Sequence, residues 1–187
     1  WMKQTNKDIE TMIDLENLHL QSIIENEDSF EIGSMATLRE VELCEGLCLY
    51  ADGILPKAIS GIMGLSVRNI ATIGGSIMGK YAFSDILTPL SVLSVDLNFY
   101  KAGKVSLEEF LSQKPITDIL LSITINKEDL KGYFYAMKKT PLDFAVVNVA
   151  VSKGKDIKIS LGARPSISVL AKKAMEFINK EKSITKI

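Results

Sequence analysis

The residues best placed to do chemistry lie between Gly61 and Ile86. Five of the chain's 12 glycines (Gly61, Gly64, Gly74, Gly75, Gly79) fall between positions 61 and 79. Residues 66–95 carry only Arg68, Lys80 and Asp85 as charged side chains, although 24% of the whole chain is charged. Small residues and few charges describe a backbone that packs closely against the protein's own core or against a ligand. Gly74 and Gly75 follow an apolar stretch and lack Cβ atoms, which permits close approach of an anionic group. Their N–H groups, with those of Ile73 and Ser76, have the spacing of a nest for a pyrophosphate. The hydroxyls of Thr72 and Ser76 add donors, and Asp85 offers an acceptor for ribose or ribityl hydroxyls. The same Gly-Gly pair is also the sequence of a bulge or turn. It matches neither a Walker loop nor a G-x-G-x-x-G fingerprint, so both readings stay open.

Other chemistries lack their residues. The chain has one histidine, His19, and two cysteines, Cys44 and Cys48. A protein-held metal or iron–sulfur site needs about four ligands. A nucleophile relayed through histidine would depend on His19, which sits in a polar segment far along the chain from the glycines and reads as a surface residue. Cys44 and Cys48 stand i, i+4 in a predicted helix and read as reduced thiols. Difficult chemistry would therefore come from an organic cofactor. The 187 residues include 22 basic and 23 acidic side chains and are 47% hydrophobic. That suits one or two domains with a real core, and excludes a disordered tail or a nucleic-acid binder. No apolar run approaches the roughly 20 residues of a membrane span, and residues 1–12 have no secretory signal. A soluble cytoplasmic protein is the expectation.

Short alternating elements must position these groups. Thr11 to Leu15 reads as a strand, and Ser22 to Ile24 with Ser29 to Gly33 as a hairpin. Thr37-Leu-Arg-Glu40 has capping-box spacing and opens a helix towards Cys48. Asp52 is placed to cap a helix with an Ile54, Leu55, Ala58, Ile59, Ile62 stripe. Ser84 or Asp85 is placed to cap another through Leu93, with Pro89 in its first turn. Leu97 to Lys101 with Gly103 reads as a hairpin, and Ser106-Leu-Glu-Glu109 as a second capping box. Ile119 to Ile125, Gly132 to Lys138, Phe144 to Val151 and Ile157 to Leu161 read as strands. An amphipathic helix, Val169 to Lys180, closes the chain. The charged run Asn126 to Lys131 marks a domain boundary. The fold class is α+β, in two parts.

The string Val67-Arg-Asn-Ile-Ala-Thr-Ile-Gly-Gly-Ser76, followed by Ser84-Asp85-Ile-Leu, resembles the flavin-binding signature of the molybdenum hydroxylase family. It looks like that of the FAD-binding middle subunit found with xanthine dehydrogenase or carbon monoxide dehydrogenase. Collinear pieces support it. Phe30-Glu-Ile-Gly-Ser-Met-Ala-Thr-Leu-Arg-Glu40 is similar to the family's "IGA-T-TL-E" stretch, and Asp118-Ile-Leu-Leu-Ser-Ile-Thr-Ile125 to the strand closing its flavin domain. Tyr133-Phe-Tyr-Ala-Met-Lys138 and Asp143-Phe-Ala-Val-Val-Asn-Val-Ala150 are similar to the start of its C-terminal domain.

The resemblance implies a FAD-binding domain of the vanillyl-alcohol-oxidase (PCMH) type over residues 1–127 and a small α/β C-terminal domain over 128–187. The family's earlier A-G-G-T or A-G-G-S loop has no counterpart in the sequence, which begins at Trp1. The expectation is therefore a flavin domain lacking its N-terminal lobe. By resemblance Thr72, Ile73, Gly74, Gly75 and Ser76 hold the FAD pyrophosphate, Ser84 and Asp85 bind cofactor hydroxyls, and Leu120 and Lys138 lie near the flavin ring. Three positions depart from the family. Ser76 stands where asparagine is common, Ile62 where some members carry a stacking aromatic, and Thr140-Pro141-Leu142 where arginine precedes "S-D-F-A". The implied function is electron transfer with no catalytic side chain of its own. A molybdenum-cofactor large subunit and a 2Fe-2S small subunit are the implied partners, with NAD or another acceptor receiving the electrons. Two other readings remain: a flavin-free scaffold that docks such partners, and an unrelated small α+β enzyme with a plain Gly-Gly turn.

Overall fold

The computed structural model describes residues 11–113, 116–164 and 167–184. Its first sheet has five antiparallel strands in the order β1-β2-β5-β3-β4. These are β1 (Ile23–Glu25), β2 (Ser29–Gly33), β3 (Ser94–Phe99), β4 (Gly103–Ser106) and β5 (Leu120–Asn126). Alternation dictates which face is buried. Phe30 and Ile32 of β2, Val95, Leu97 and Phe99 of β3, and Ile123 and Ile125 of β5 all point into the core. Their register stacks Phe30 on Ile125 and Leu97 on Ile123. The opposite face is a polar ladder. Asn98 Nδ2 donates to Ser122 Oγ and Thr124 Oγ1, and Ser122 Oγ donates to Glu31 Oε1.

Short helices cover the apolar face: α1 (Leu38–Leu43), α2 (Glu45–Leu49), α3 (Ile54–Ser60), α4 (Leu65–Arg68), α5 (Ile73–Met78) and α6 (Leu87–Leu90), with α7 (Leu107–Ser112) after β4. None is long enough to stand alone in water, so tertiary burial holds them. Leu38, Val41, Leu47, Ile54, Leu55, Ile59, Ile73, Ile77, Leu87 and Leu90 are all buried. Each contributes about 1.5–3 kcal/mol of transfer free energy. The Thr37–Glu40 capping box forms in both directions. Of the second box only the Ser106 half forms, Glu109 N donating to Ser106 Oγ at 3.2 Å.

Several expected elements differ. Thr11 to Leu15 is irregular, with Thr11 to Asp14 exposed and therefore no face to bury. The helix from Thr37 breaks at Cys44, whose extended φ/ψ caps the start of α2, and Cys48 of α2 donates its N–H to Cys44 O at 3.0 Å. Asp52 caps nothing. Ala51, Asp52 and Gly53 instead form a left-handed turn (φ 51°, 55° and 68°), and α3 starts without a side-chain cap. The helix expected from Ser84 to Leu93 shrinks to α6, with Ser84 Oγ accepting from Ile86 N and Leu87 N.

The second sheet is antiparallel, in the order β6-β7-β8-β9: β6 (Lys131–Met137), β7 (Val147–Lys153), β8 (Ile157–Gly162) and β9 (Val169–Leu170), followed by α8 (Lys172–Ile184). Strand β7 buries its polar side. Asn148, Ala150 and Ser152 are inside, while Val147, Val149 and Val151 stay half-buried on the outer face. Hydrogen bonding resolves the paradox, for the inward groups meet polar partners on α6 and the turn after it. Ser152 Oγ donates to Val92 O at 2.7 Å. Tyr50 donates its hydroxyl to Asn126 O at the end of β5, and one further contact binds the second sheet to the turn before α3. Gly132 lies so close to the left-handed turn that a Cβ there would come within 2.6 Å of Ala51 O.

Candidate functional site

The glycine segment is the first turn of α5. Thr72 is its N-cap, with Oγ1 accepting from Gly75 N at 3.1 Å. The chain after β2 zips onto it. Ile73 N donates to Ala36 O, Gly74 N to Ser34 O, and Leu38 N to Ala71 O. Ser76 N and Ser76 Oγ both donate to Thr72 O. This corrects the expectation of a free nest, because all four N–H groups from Ile73 to Ser76 already have acceptors in the protein. The two glycines also have different reasons to be there. A Cβ on buried Gly74 would lie 2.6 Å from both Ser34 Cβ and Ser34 O, so close helix–strand packing demands glycine. Gly75 is exposed, and its Cβ would meet only Thr72 Oγ1, at 3.0 Å. Beside this turn the Ser34 hydroxyl is fully buried with no hydrogen-bond partner.

Ser76, Ser84, Asp85 and Lys138 converge on one cavity of about 120 Å³. Its other walls are mostly apolar, with Ile62, Met63, Phe83 and Phe144 among them, and include Asp143 and Tyr81. Tyr81, Phe83 and Phe144 form an aromatic row, with ring centroids 5.5 and 4.0 Å apart. Lys138 continues the inward side of β6. Its Nζ is 2.8 Å from Asp85 Oδ2 and donates to Gly61 O at 2.6 Å. Buried Asp85 and half-buried Lys138 thus form an ion pair joining the two sheets.

Asn148 on β7 completes the cluster. Its Nδ2 donates to Asp85 Oδ1 at 2.6 Å and to Ser84 O at 3.2 Å. Thr88 Oγ1 donates to Asn148 Oδ1 at 2.8 Å, and Thr88 Oγ1 lies 2.8 Å from Ser168 Oγ. Sequence reading misses Asn148, Thr88 and Ser168, whose only signal is a polar residue at alternate positions of an otherwise apolar strand or helix. Leu120 is placed elsewhere. It is buried at the start of β5, opposite Phe99, and does not line the cavity.

Charged groups nearby brace the site's surroundings. Arg68 bonds Glu42 and also holds Ile62 O and Met63 O, fixing the cavity's rim. Burial alone would push the Glu42 carboxyl up, but hydrogen bonds from Arg39 and Arg68 reverse this and hold it below its usual range. Burial pushes Lys80, just past α5, below the usual lysine value, with Nζ donating to Phe110 O and Gln113 O at the end of α7. His19 is exposed, with φ 53°. Among the described residues no three His, Cys, Asp or Glu side chains converge as metal ligands. No described helix is long and apolar enough to cross a membrane. A larger cleft of about 690 Å³ opens between α7 and α8; of the site residues named above it is lined by Ser168, and by none of Thr72 to Ser76, Ser84, Asp85 or Lys138.

A protein family described as the FAD binding domain in molybdopterin dehydrogenase matches residues 1–127. Indole-3-acetaldehyde oxidase of Arabidopsis thaliana is 32% identical over 123 residues, covering 57% of this chain and 9% of that protein. Among solved structures, quinoline 2-oxidoreductase from Pseudomonas putida 86 superposes with a TM-score of 0.75 at 23% identity, over 84% of this chain and 60% of that one. Carbon monoxide dehydrogenase from Hydrogenophaga pseudoflava gives 0.73 at 20% identity, over 81% and 58%. The Oligotropha carboxidovorans carbon monoxide dehydrogenase gives 0.73 at 20% identity, over 84% and 60%. This chain therefore spans about 60% of the structural relatives' chains and a small part of the plant oxidase.

Proposed function

The chain belongs to the FAD-binding domain family of molybdopterin dehydrogenases, and from that premise we propose that it is the flavin-carrying, electron-transfer subunit of a molybdenum hydroxylase. One observation carries the reading: Ser76 of α5, the residue after the glycine pair, and the Asp85–Lys138 pair line a single cavity whose other walls are mostly apolar. The residues fit FAD in kind. Exposed Gly75 presents bare backbone, and the Ser34 hydroxyl beside Gly74 is a buried polar atom without a partner. Ile62, Met63, Phe83 and Phe144 suit the faces of a flat ring, while Asp85 and Lys138 suit its polar edge or hydroxyls. At about 120 Å³ the cavity is smaller than the roughly 300–1,000 Å³ of complete small-molecule sites, so it suits one end of the cofactor.

FAD supplies the redox centre when bound. The chain's own share is physical. Thr72 to Ser76 would place the diphosphate end, with Ser84 and Asp85 accepting from hydroxyls. Lys138 would set a fixed positive charge beside the ring. Residues 1–127 would form the flavin domain, of vanillyl-alcohol-oxidase type, and 128–187 the C-terminal domain. In the assembled enzyme we place a molybdenum-cofactor large subunit and a 2Fe-2S small subunit as partners, with electrons passing from the clusters through this subunit to NAD or another acceptor. Xanthine dehydrogenase is one complex of this kind. We assign the protein to the cytoplasm on its two free thiols.

The test is flavin content of the purified full-length protein and its complex. Stoichiometric FAD with a visible flavin spectrum is expected, and Gly75→Asp, which sets a carboxylate against the diphosphate, should abolish it without unfolding the chain. A second reading, a flavin-free scaffold, is favoured by the internal partners of the Ile73–Ser76 N–H groups and of Asp85. Bound flavin in the wild-type complex would exclude it, and a flavin-free wild type would establish it in place of the first.

A further inference from the structure

The cluster around Asp85 has a direction. A carboxylate only accepts, so the Asn148 atom 2.6 Å from Asp85 Oδ1 is its amide nitrogen. That orientation turns the Asn148 oxygen towards Thr88. Thr88 has one hydroxyl proton to give, and Asn148 Oδ1 at 2.8 Å is a better acceptor than Ser84 O at 3.3 Å. Ser168 Oγ, 2.8 Å away, must then donate into Thr88. The chain runs Ser168 to Thr88 to Asn148 to Asp85, and its members are 2%, 0%, 1% and 6% exposed. Gly162 leaves the room this arrangement needs, for a Cβ there would lie 2.2 Å from Thr88 Oγ1 and 2.3 Å from Asn148 Oδ1. On the other side Lys138 holds Asp85 Oδ2. The two oxygens of one carboxylate are thus held by adjacent strands, β7 through Asn148 and β6 through Lys138.

We infer that Asn148, oriented by Thr88 and Ser168, is the positioning residue of the flavin site: it fixes the rotation of the Asp85 carboxylate and, through it, the place of the Lys138 ammonium. The inference rests on the FAD reading above. An ion pair alone leaves a carboxylate free to turn about its last torsion, which is broad and roughly two-fold. A second, directional bond to the other oxygen removes that freedom. The ammonium, held also by Gly61 O, then keeps one position against the cavity wall.

The experiment is a flavin titration of the full-length protein, with the flavin absorption spectrum and midpoint potential read on the same samples. Thr88→Val keeps shape and removes the donor. It should weaken FAD binding by about tenfold, as expected for an orphaned buried acceptor, and shift both spectrum and potential. Thr88→Ser should restore binding to within about twofold, since it keeps the hydroxyl. Asn148→Ala should weaken binding further, yet add nothing in an Asp85→Ala background, because positioning acts through Asp85. If Thr88→Val and Asn148→Ala melt earlier but bind FAD with unchanged affinity, spectrum and potential, the cluster is a brace between sheets and the inference fails alone. If wild-type protein takes up no FAD, the functional reading fails and this inference fails with it.

Discussion

Helix α5 reaches through Ser76 the cavity that Asp85 lines, but its start and the Asp85 cluster are built in opposite ways. At α5 the groups the sequence advertises, four consecutive N–H donors, belong to a single stretch of chain and are spent on Ser34 and Ala36 of the neighbouring segment and on Thr72. At Asp85 the groups come from α6 and the residues just before it, from the end of β6, from β7 and from the segment before β9, so most of them are far apart in sequence. The first region is local geometry reinforced by packing. The second exists only once both sheets have docked. A change at α5 should therefore act on one spot, while a change at Asp85 should act on the joint between sheets.

The largest effect that tests this difference is Asp85→Ala. Removing one partner of a buried, hydrogen-bonded pair leaves Lys138 and Asn148 uncompensated, at a cost of about 3–5 kcal/mol. Denaturant unfolding should show the loss, and an unchanged midpoint would mean that the pair does not join the sheets. Next comes Gly74→Ala, expected to cost about 1–3 kcal/mol by overpacking against Ser34 backbone and Cβ, visible as a lowered Tm without any cofactor present. Gly75→Ala, one residue on, should move stability by less than about 1 kcal/mol, since the added methyl meets only Thr72 Oγ1. Its effect should appear in FAD affinity instead. Equal loss of stability in the two glycine variants would erase the distinction between a packing glycine and a binding glycine.

The smallest effect concerns a carboxylate whose partners all lie near it on the first sheet's helices. Glu42 is held below its usual range by Arg39 and Arg68 despite burial, so its folded value lies below its unfolded one. The stability it adds is present above the unfolded value, near 4.5, and is lost as pH falls below that. Glu42→Gln should therefore lower stability modestly in the neutral region, converge with wild type at low pH, and so flatten the acid limb of the stability curve. Melting temperatures across an acid pH series measure this, and a slope equal to wild type would remove Glu42 as its source.

How far the sequence could be read follows the same division. The first hairpin, the Thr37–Glu40 capping box, the Gly103 turn and strands β5 to β8 are legible because each rests on neighbours in sequence. Asp52 misleads because a left-handed turn, held by docking of Ala51 O against Gly132, overrides its capping propensity. Strand β7 is legible as a strand, but its buried face is not. Period-two alternation in Val-Asn-Val-Ala-Val-Ser puts valines inside, yet Asn148 and Ser152 are the buried ones, because their partners arrive from α6 and the turn after it. The glycine pair, Ser84, Asp85 and Lys138 are recognisable by resemblance. Asn148, Thr88 and Ser168 are not, for nothing in their local sequence states that they meet.

One carboxylate read by two strands has a consequence for how this protein can vary over time. A substitution at position 85 changes the demand on β6 and β7 together, and a substitution at 138 or 148 leaves a demand at 85 that no other residue meets. Single steps through this triad pass through a destabilised intermediate, whereas paired steps need not. Positions 85, 138 and 148 should therefore drift as a set among related proteins, or not at all, while exposed Gly75 answers only to what it touches outside the chain.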